Sequence, residues 1–519
     1  MTVSSVNEPS GVPSAPEAPP AHRPAATLAV TTSVTFLVLM DYTAPMTVLP
    51  DMTASLGTGL SGQAWLLNGI ALGLAATLLV AGSLADDYGR KRVFVLGTLA
   101  LAVTMALGAA ATGTLAFTLA RVAQGAASAA VIAASLGLIA HAFPSGTGRV
   151  RATALWGASL SGGIAAGPLV SSGLNVLSWR ACYLALACAA LLAAPVAVRT
   201  LRESRDRRPG RPDVLGAVTL GLALSALFAA LTVGRDGWLR PAVWGLLAAA
   251  VALGAVFVAV ERRSCAPMID LALFRRPLFL VGTGGALFTG LAVIGLFSYA
   301  PTLLQQTVGL SPHATAWLLA LWSGTALLTA AQSRRLVHRL GARHQLAAGF
   351  LLSALGMAAL LGAAGGGSWG RLLPGLFVAG VGVGLLNAAL PRLAVESVPP
   401  ERAAMGSGAN NTARYIGSAA GVALTVAVST AHRDGDPLRA LAAGTDRALL
   451  VACGLAIAGA AAVLALREKP LGQPGSGTEK PGTEKPGTEK RGTGTRDTAS
   501  GNSPQDGARS RSTHIRRIG

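Results

Sequence analysis

The chain reads as a succession of long apolar runs separated by short polar interruptions, without the strict alternation of a half-buried strand. About 20 predominantly apolar residues suffice for a helix to span a bilayer. Such runs stand at roughly 27–49, 64–84, 93–112, 114–142, 152–174, 179–198 and 214–233. Seven more follow at roughly 241–260, 278–300, 315–332, 346–364, 372–390, 407–430 and 447–466. Each is bounded by charges, Pro or Gly clusters, so the pattern predicts an all-α polytopic membrane protein with fourteen transmembrane helices. The runs are rich in Ala, Leu, Val and Gly, which excludes a β-barrel, whose strands alternate lipid-facing and lumen-facing residues.

Composition supports the pattern. Charged residues make up only 13% of the 519 and hydrophobic residues 52%, with a mean hydropathy of +0.54. A soluble domain carries about 25% charge. The net charge of +19 raises the question of nucleic acid, which the placement of the charges answers. Loops on one side, beginning with Arg90, Lys91 and Arg92, hold twenty-one Lys and Arg, and loops on the other side hold seven. Basic loops stay cytoplasmic, so the surplus is an orientation signal that puts both termini inside the plasma membrane. No basic face interleaved with aromatics survives this sorting, so no nucleic-acid partner is expected.

Residues 1–26 are rich in Pro, Ala and Ser and lack the basic start and short apolar core of a cleaved signal; they read as a disordered cytoplasmic extension. Residues 468–519 hold a repeated Gly-Thr-Glu-Lys-Pro unit with too little apolar area to fold. Four cysteines show no metal spacing or disulfide framework. No cofactor or metal is expected.

Three formal charges fall well inside spans: Asp41 in the first, Arg121 in the fourth and Arg414 in the thirteenth. Each costs about 2.5–3.5 kcal/mol at the bilayer centre, even on lenient scales, and so must face a cavity or a partner. Asp41 is about 14 residues, or about 21 Å, from the inner end of its span. Arg121 lies toward the outer end of a long span, so the two can share a depth. Arg414 reads as lying lower, apart from Asp41. As the lone in-span carboxylate, Asp41 is the leading proton carrier, with Arg121 tuning its protonation. Polar and Trp positions in or near spans are candidates to line a substrate cavity: Trp65, Asn68, Gln124, Trp156, Gln305 with Gln306, Asn387, and Asn410 with Asn411, together with Arg414. Any of them can equally be an interhelical hydrogen bond.

Between the second and third spans stands Gly82-Ser83-Leu84-Ala85-Asp86-Asp87-Tyr88-Gly89-Arg90-Lys91-Arg92. Gly89 permits a tight reversal and Asp86 is within pairing reach of Arg90. This stretch resembles the cytoplasmic loop signature of the major facilitator superfamily, departing at Asp87, where a basic residue is usual. Asp41-Tyr42-Thr43 with Leu49-Pro50 resembles the first-span signature of its fourteen-span drug/proton antiporter branch, with Met46 where Asn is usual. Arg121 to Gly125 resembles the fourth-span motif, and Gly163 to Pro168 the antiporter motif of span five, with Ser171-Ser172 in place of the usual Gly pair. Asn411, Arg414, Gly417 and Gly421 match the thirteenth-span pattern. Independently of family, Gly163 and Gly167 allow close helix approach and Pro168 bends its helix, together forming a candidate occluding seam.

Leu336 to Arg343 echoes Leu84 to Lys91 as a degenerate copy, which predicts two related six-helix halves, 27–200 and 278–467, flanking a basic linker and helix pair at 201–277. The resemblance implies a secondary exporter of drugs or small natural products, exchanging them for protons. Asp41 and Arg121 would couple, Gly82, Asp86, Gly89, Arg90 and Lys91 would gate, and Gly163, Gly167 and Pro168 would form the seam. The expected partners are a small molecule, protons and the lipid bilayer, with the chain acting as a monomer. An uptake or facilitated carrier on the same fold is the alternative. No P-loop and no paired catalytic carboxylates, Ser-His-Asp set or metal cluster suggest an enzyme.

Overall fold

A computed structural model describes residues 24–143, 145–205, 214–234, 237–264, 271–333, 341–365, 369–429 and 436–466. The first helices are α1 (Pro24–Thr43), α2 (Pro45–Leu56), α3 (Leu60–Tyr88), α4 (Arg90–Ala109), α5 (Thr114–Ala142), α6 (Thr147–Leu174) and α7 (Trp179–Thr200). An intervening pair, α8 (Val214–Val233) and α9 (Pro241–Arg263), comes next. The remainder are α10 (Pro277–Phe288), α11 (Gly295–Thr307), α12 (Pro312–Gln332), α13 (Ala342–Ala359), α14 (Leu372–Glu396), α15 (Ala403–Ser429) and α16 (Pro437–Ala465). Most of the second copy of the loop motif (336–340), the repeat tail and most of the N-terminal extension lie outside the described residues.

Apolar side chains gather into two main cores. One draws mostly on residues between Val34 and Phe228, the other on residues between Val281 and Val463, and the half-buried Ile164 packs against both. Helices α1–α7, the first half of the helices, supply most of the first core, and α10–α16, the second half, supply most of the second. Helix α8 packs on α3, and α9 packs on α8 while leaving most of its residues exposed, as a lipid-facing helix would.

Twelve helical stretches of the described residues are long and apolar enough to cross a membrane. Helices α6 and α15, with 28 and 27 residues, have the length but not the apolarity. Their Ser, Thr, Asn and Gly positions are largely turned into the protein, where a polar side chain finds a protein partner instead of lipid. They are the fifth and thirteenth of the fourteen apolar runs.

Two expected single spans are interrupted. The first breaks at Ala44: its dihedrals stay helical, but Pro45 has no N–H to continue the ladder. The ninth carries a π-helical turn, Thr289–Ile294, between α10 and α11. Such turns are uncommon and concentrate at functional positions. Gly290 and Gly295 sit so close to α15 that a side chain on either would strike backbone at Arg414 to Ser418 or at Gly421.

Candidate functional site

Asp41 and Arg121, on α1 and α5, are both fully buried and meet as an ion pair, with Arg121 Nη1 2.9 Å from Asp41 Oδ1. The same nitrogen donates to the Asp41 carbonyl at 3.0 Å and to Gln124 Oε1 at 2.9 Å, and Nη2 donates to the Tyr42 carbonyl at 3.3 Å. Gln124 is one helical turn on from Arg121 and donates onward to the Thr104 carbonyl of α4, in the space that Gly108 leaves free. Gln124 therefore orients the arginine; it does not line the cavity. Asp41 Oδ2 has no hydrogen-bond partner among the described residues. A buried pair with a spare acceptor can take up a proton without dismantling its neighbours' bonds.

One residue further along α1 the chain reaches a cavity shared by the two halves. On the first side stand Leu39, Tyr42, Thr43 and Met46 of α1 and α2 with Leu160, Ile164 and Pro168 of α6; on the second stand Ile294, Phe297, Ser298, Leu319, Trp322, Val383, Asn387, Arg414 and Tyr415. Their spacings are those of single helix faces, such as 160, 164 and 168 or 294, 297 and 298. Phe297 stacks on Trp322 with ring centroids 4.4 Å apart and planes at 15°. Tyr42 and Tyr415 approach across the halves to 5.9 Å. Arg414 thus belongs at the cavity beside the residue that follows Asp41, rather than below and apart from it.

Of the ten polar and Trp candidates, Asn387 and Arg414 line the cavity. Asn387 donates to Ser161 Oγ at 2.9 Å across the halves. Trp156 is buried and its indole N–H reaches Thr35 and Ser135 hydroxyls at 3.0 and 2.8 Å. Asn411 accepts from Arg414 Nη2 at 2.9 Å and so sits behind the wall, while Asn410 donates to the Gly282 carbonyl. Trp65, Asn68 and Gln305 are partly exposed and none lines the cavity. Sequence reasoning missed Met46 and the aromatic wall of Tyr42, Phe297, Trp322 and Tyr415. The available signal was aromatic residues inside spans, which only a fold can separate from ordinary core.

The glycine seam joins α6 to α1 inside one half. A side chain on Gly163 would strike the Phe36 carbonyl, and one on Gly167 the Thr43 hydroxyl and Met40 carbonyl. Pro168 has no N–H for the Ile164 carbonyl; the Thr43 hydroxyl, whose shortest bond is to the Leu39 carbonyl at 3.0 Å, also comes within 3.4 Å of it. Between the halves, Gly157 takes the corresponding role, packing against the Asn387 carbonyl of α14.

At one end of the bundle the expected gating residues join both halves. Asp86 accepts from Arg90 Nε at 2.8 Å and lies 2.7 Å from its Nη2. The same carboxylate accepts the backbone N–H of Ala404 at 3.3 Å and of Met405 at 2.9 Å, capping the N-terminus of α15, where a negative charge is favoured. Arg90 donates to the carbonyls of Gly137, Pro400 and Glu401. Asp87, where the sequence signature has a basic residue, pairs with Arg402 at 3.3 Å. Gly82 allows α3 to lie against the Ala404 carbonyl. Gly89 adopts φ +122° and a Cβ there would come within 2.6 Å of the Glu203 carboxylate. That carboxylate accepts the N–H groups of Lys91 and Arg92 at 3.0 and 3.2 Å.

The arrangement is that of a polytopic, all-helical membrane protein whose cavity and Asp86–Arg90 cluster are built at the meeting of two groups of helices, with the Asp41–Arg121 pair inside the first group. The chain belongs to the major facilitator superfamily, whose family model matches residues 31–422. It is 31% identical over 398 residues to the multidrug resistance protein Stp of Mycobacterium tuberculosis, covering 76% of this chain and 74% of that one. It is 33% identical over 427 residues to the probable actinorhodin transporter of Streptomyces coelicolor, covering 78% and 72%. Among solved structures, the human organic anion transporter MFSD10 (TETRAN) matches in fold with a TM-score of 0.62 at 18% identity, covering 86% of this chain and all of that one.

Proposed function

We propose that this chain is a secondary active exporter that moves drugs, antibiotics or small amphipathic natural products across the plasma membrane in exchange for protons. The carrying observation is the buried Asp41–Arg121 pair one residue from the wall of a cavity shared by both halves. Relatives named for multidrug resistance, puromycin resistance and tetracenomycin C export support the cargo class. In this reading α6 and α15 also cross the membrane, giving fourteen spans with both termini cytoplasmic, and the chain works as a monomer.

The coupling follows from the geometry. When Asp41 is neutralised, Arg121 keeps only carbonyl and amide partners. An uncompensated buried charge costs about 3–5 kcal/mol, enough to repopulate two states of the bundle. Tyr42 and Thr43 connect that event to the cavity, and the Ala44–Pro45 break lets the α1 end move. The Asp86–Arg90 cluster holds one end shut in the present conformation; its release exposes the cavity on that side.

The test uses everted membrane vesicles from a pump-deficient host and a panel of toxic aromatic compounds, with and without a protonophore. Gradient-driven accumulation that collapses with the protonophore and with Asp41→Asn is expected. Proton-driven accumulation undiminished in Asp41→Asn refutes the coupling role, and flux of the opposite sign favours the uptake reading.

A further inference from the structure

Arg414 is the one formal charge among the described residues lining the shared cavity, and no carboxylate joins it there. It is 6% exposed. Its hydrogen bond goes to a neutral amide, Asn411 Oδ1 at 2.9 Å, and its Nε has no partner among the described residues. Another arginine buried inside a span, Arg121, is by contrast neutralised by Asp41. A guanidinium buried in this way within a membrane-spanning helix is costly until an anion reaches it.

The surroundings define the rest of the ligand. Arg414 Cζ lies 5.6 Å from the Tyr415 ring centroid, and the stacked Phe297–Trp322 pair faces the same space. Flat rings offer stacking area to a flat ligand.

We infer that the cavity selects planar aromatic monoanions, with Arg414 as the specificity-determining residue that pairs with the carboxylate, phenolate or sulfonate of the cargo. Aromatic cations of the same shape are disfavoured. The inference rests on the exporter reading for its physiological sense but is measured by binding alone. A monoanion leaving as a proton enters moves two positive charges inward per cycle, so the membrane potential would drive export along with the pH gradient.

The experiment uses the purified full-length protein and three probes on one ring system: 2-naphthalenesulfonate, 2-naphthalenesulfonamide and a 2-naphthylmethyl trimethylammonium salt. Binding is measured calorimetrically in detergent. The sulfonate is expected to bind at least about tenfold more tightly than either other probe, since hydrogen bonds to charged groups are strong. Arg414→Gln should reduce that preference to within about threefold, while Arg414→Lys, which keeps the charge, should retain part of it. If Arg414→Gln does not fold, the wild-type ranking and Arg414→Lys still decide. Equal or tighter binding of the ammonium probe, no binding of any probe, or an undiminished sulfonate preference in Arg414→Gln would overturn the inference. Flux of the same probes in proteoliposomes reads the exporter proposal separately: binding with the expected ranking but no gradient-driven movement refutes export and leaves the binding specificity standing.

Discussion

Replacing Asp86 by Asn changes almost no volume and removes one charge from the closed end of the bundle. The carboxylate accepts from Arg90 Nε, lies within ion-pair distance of its Nη2, and accepts from the N–H groups of Ala404 and Met405. An amide keeps one oxygen and presents an NH₂ group to donors on at least one side. Losing one partner of a buried ion pair costs about 3–5 kcal/mol, and the remaining carbonyl acceptors of Arg90 do not neutralise it. With the end open, Asp86 and Arg90 reach water and the substitution costs little. The difference, about 3 kcal/mol, therefore falls on the closed state and shifts the closed-to-open ratio by about 100-fold. Spin labels at Tyr88 and Pro399, exposed positions on the two halves, would report the separation by pulsed dipolar spectroscopy in a background with the four natural cysteines replaced. The short-distance population should fall sharply in Asp86→Asn. An unchanged distance distribution in folded protein would refute the view that this carboxylate holds the halves together.

Gly157→Ala should lower the thermal unfolding midpoint in detergent, because its Cβ meets the Asn387 carbonyl of the other half and overpacking costs about 1–3 kcal/mol; Gly173→Ala, with open space around it, should leave the midpoint unchanged. Arg121→Lys keeps the charge but loses the fork that joins Asp41, Gln124 and Tyr42. Its proton-driven flux in vesicles should drop by about tenfold or more, with downhill flux of the same compound affected less. Trp156→Phe should cost about 1–2 kcal/mol of stability through the lost bonds to Thr35 and Ser135, yet leave the ranking of competing substrates unaltered, because the indole does not line the cavity.

The apolar runs were legible because lipid imposes length and composition on any helix that faces it. The same rule explains why α6 and α15 stand out as too polar: they face protein, and their Gly, Ser and Asn positions answer to neighbours rather than to lipid. The in-span charges were legible because each is too costly to be incidental. The loop motif was legible because Gly89 and Asp86 sit at fixed spacing from Arg90, a local matter of one turn.

Partnership was a different question. Trp156, Gln124 and Asn411 look equivalent to Asn387 in a one-dimensional reading, since each is a polar group inside a span. Periodicity states which face of its own helix such a residue occupies, but it does not say which helix lies opposite. Glu203 shows the same limit, for its carboxylate caps α4 from more than a hundred residues away along the chain.

From the sequence alone came the membrane class, the helical runs, the three costly charges and the loop signature, all consequences of local composition against water and lipid. The tertiary structure turned the expected Asp41–Arg121 partnership into a direct ion pair, and it alone decided that the Gly163–Gly167 seam lies within one half while Gly157 faces the other, and that Arg414 enters an aromatic cavity with no carboxylate among the described residues lining it. Those outcomes depend on which helices pack together, and packing is set by the whole bundle at once.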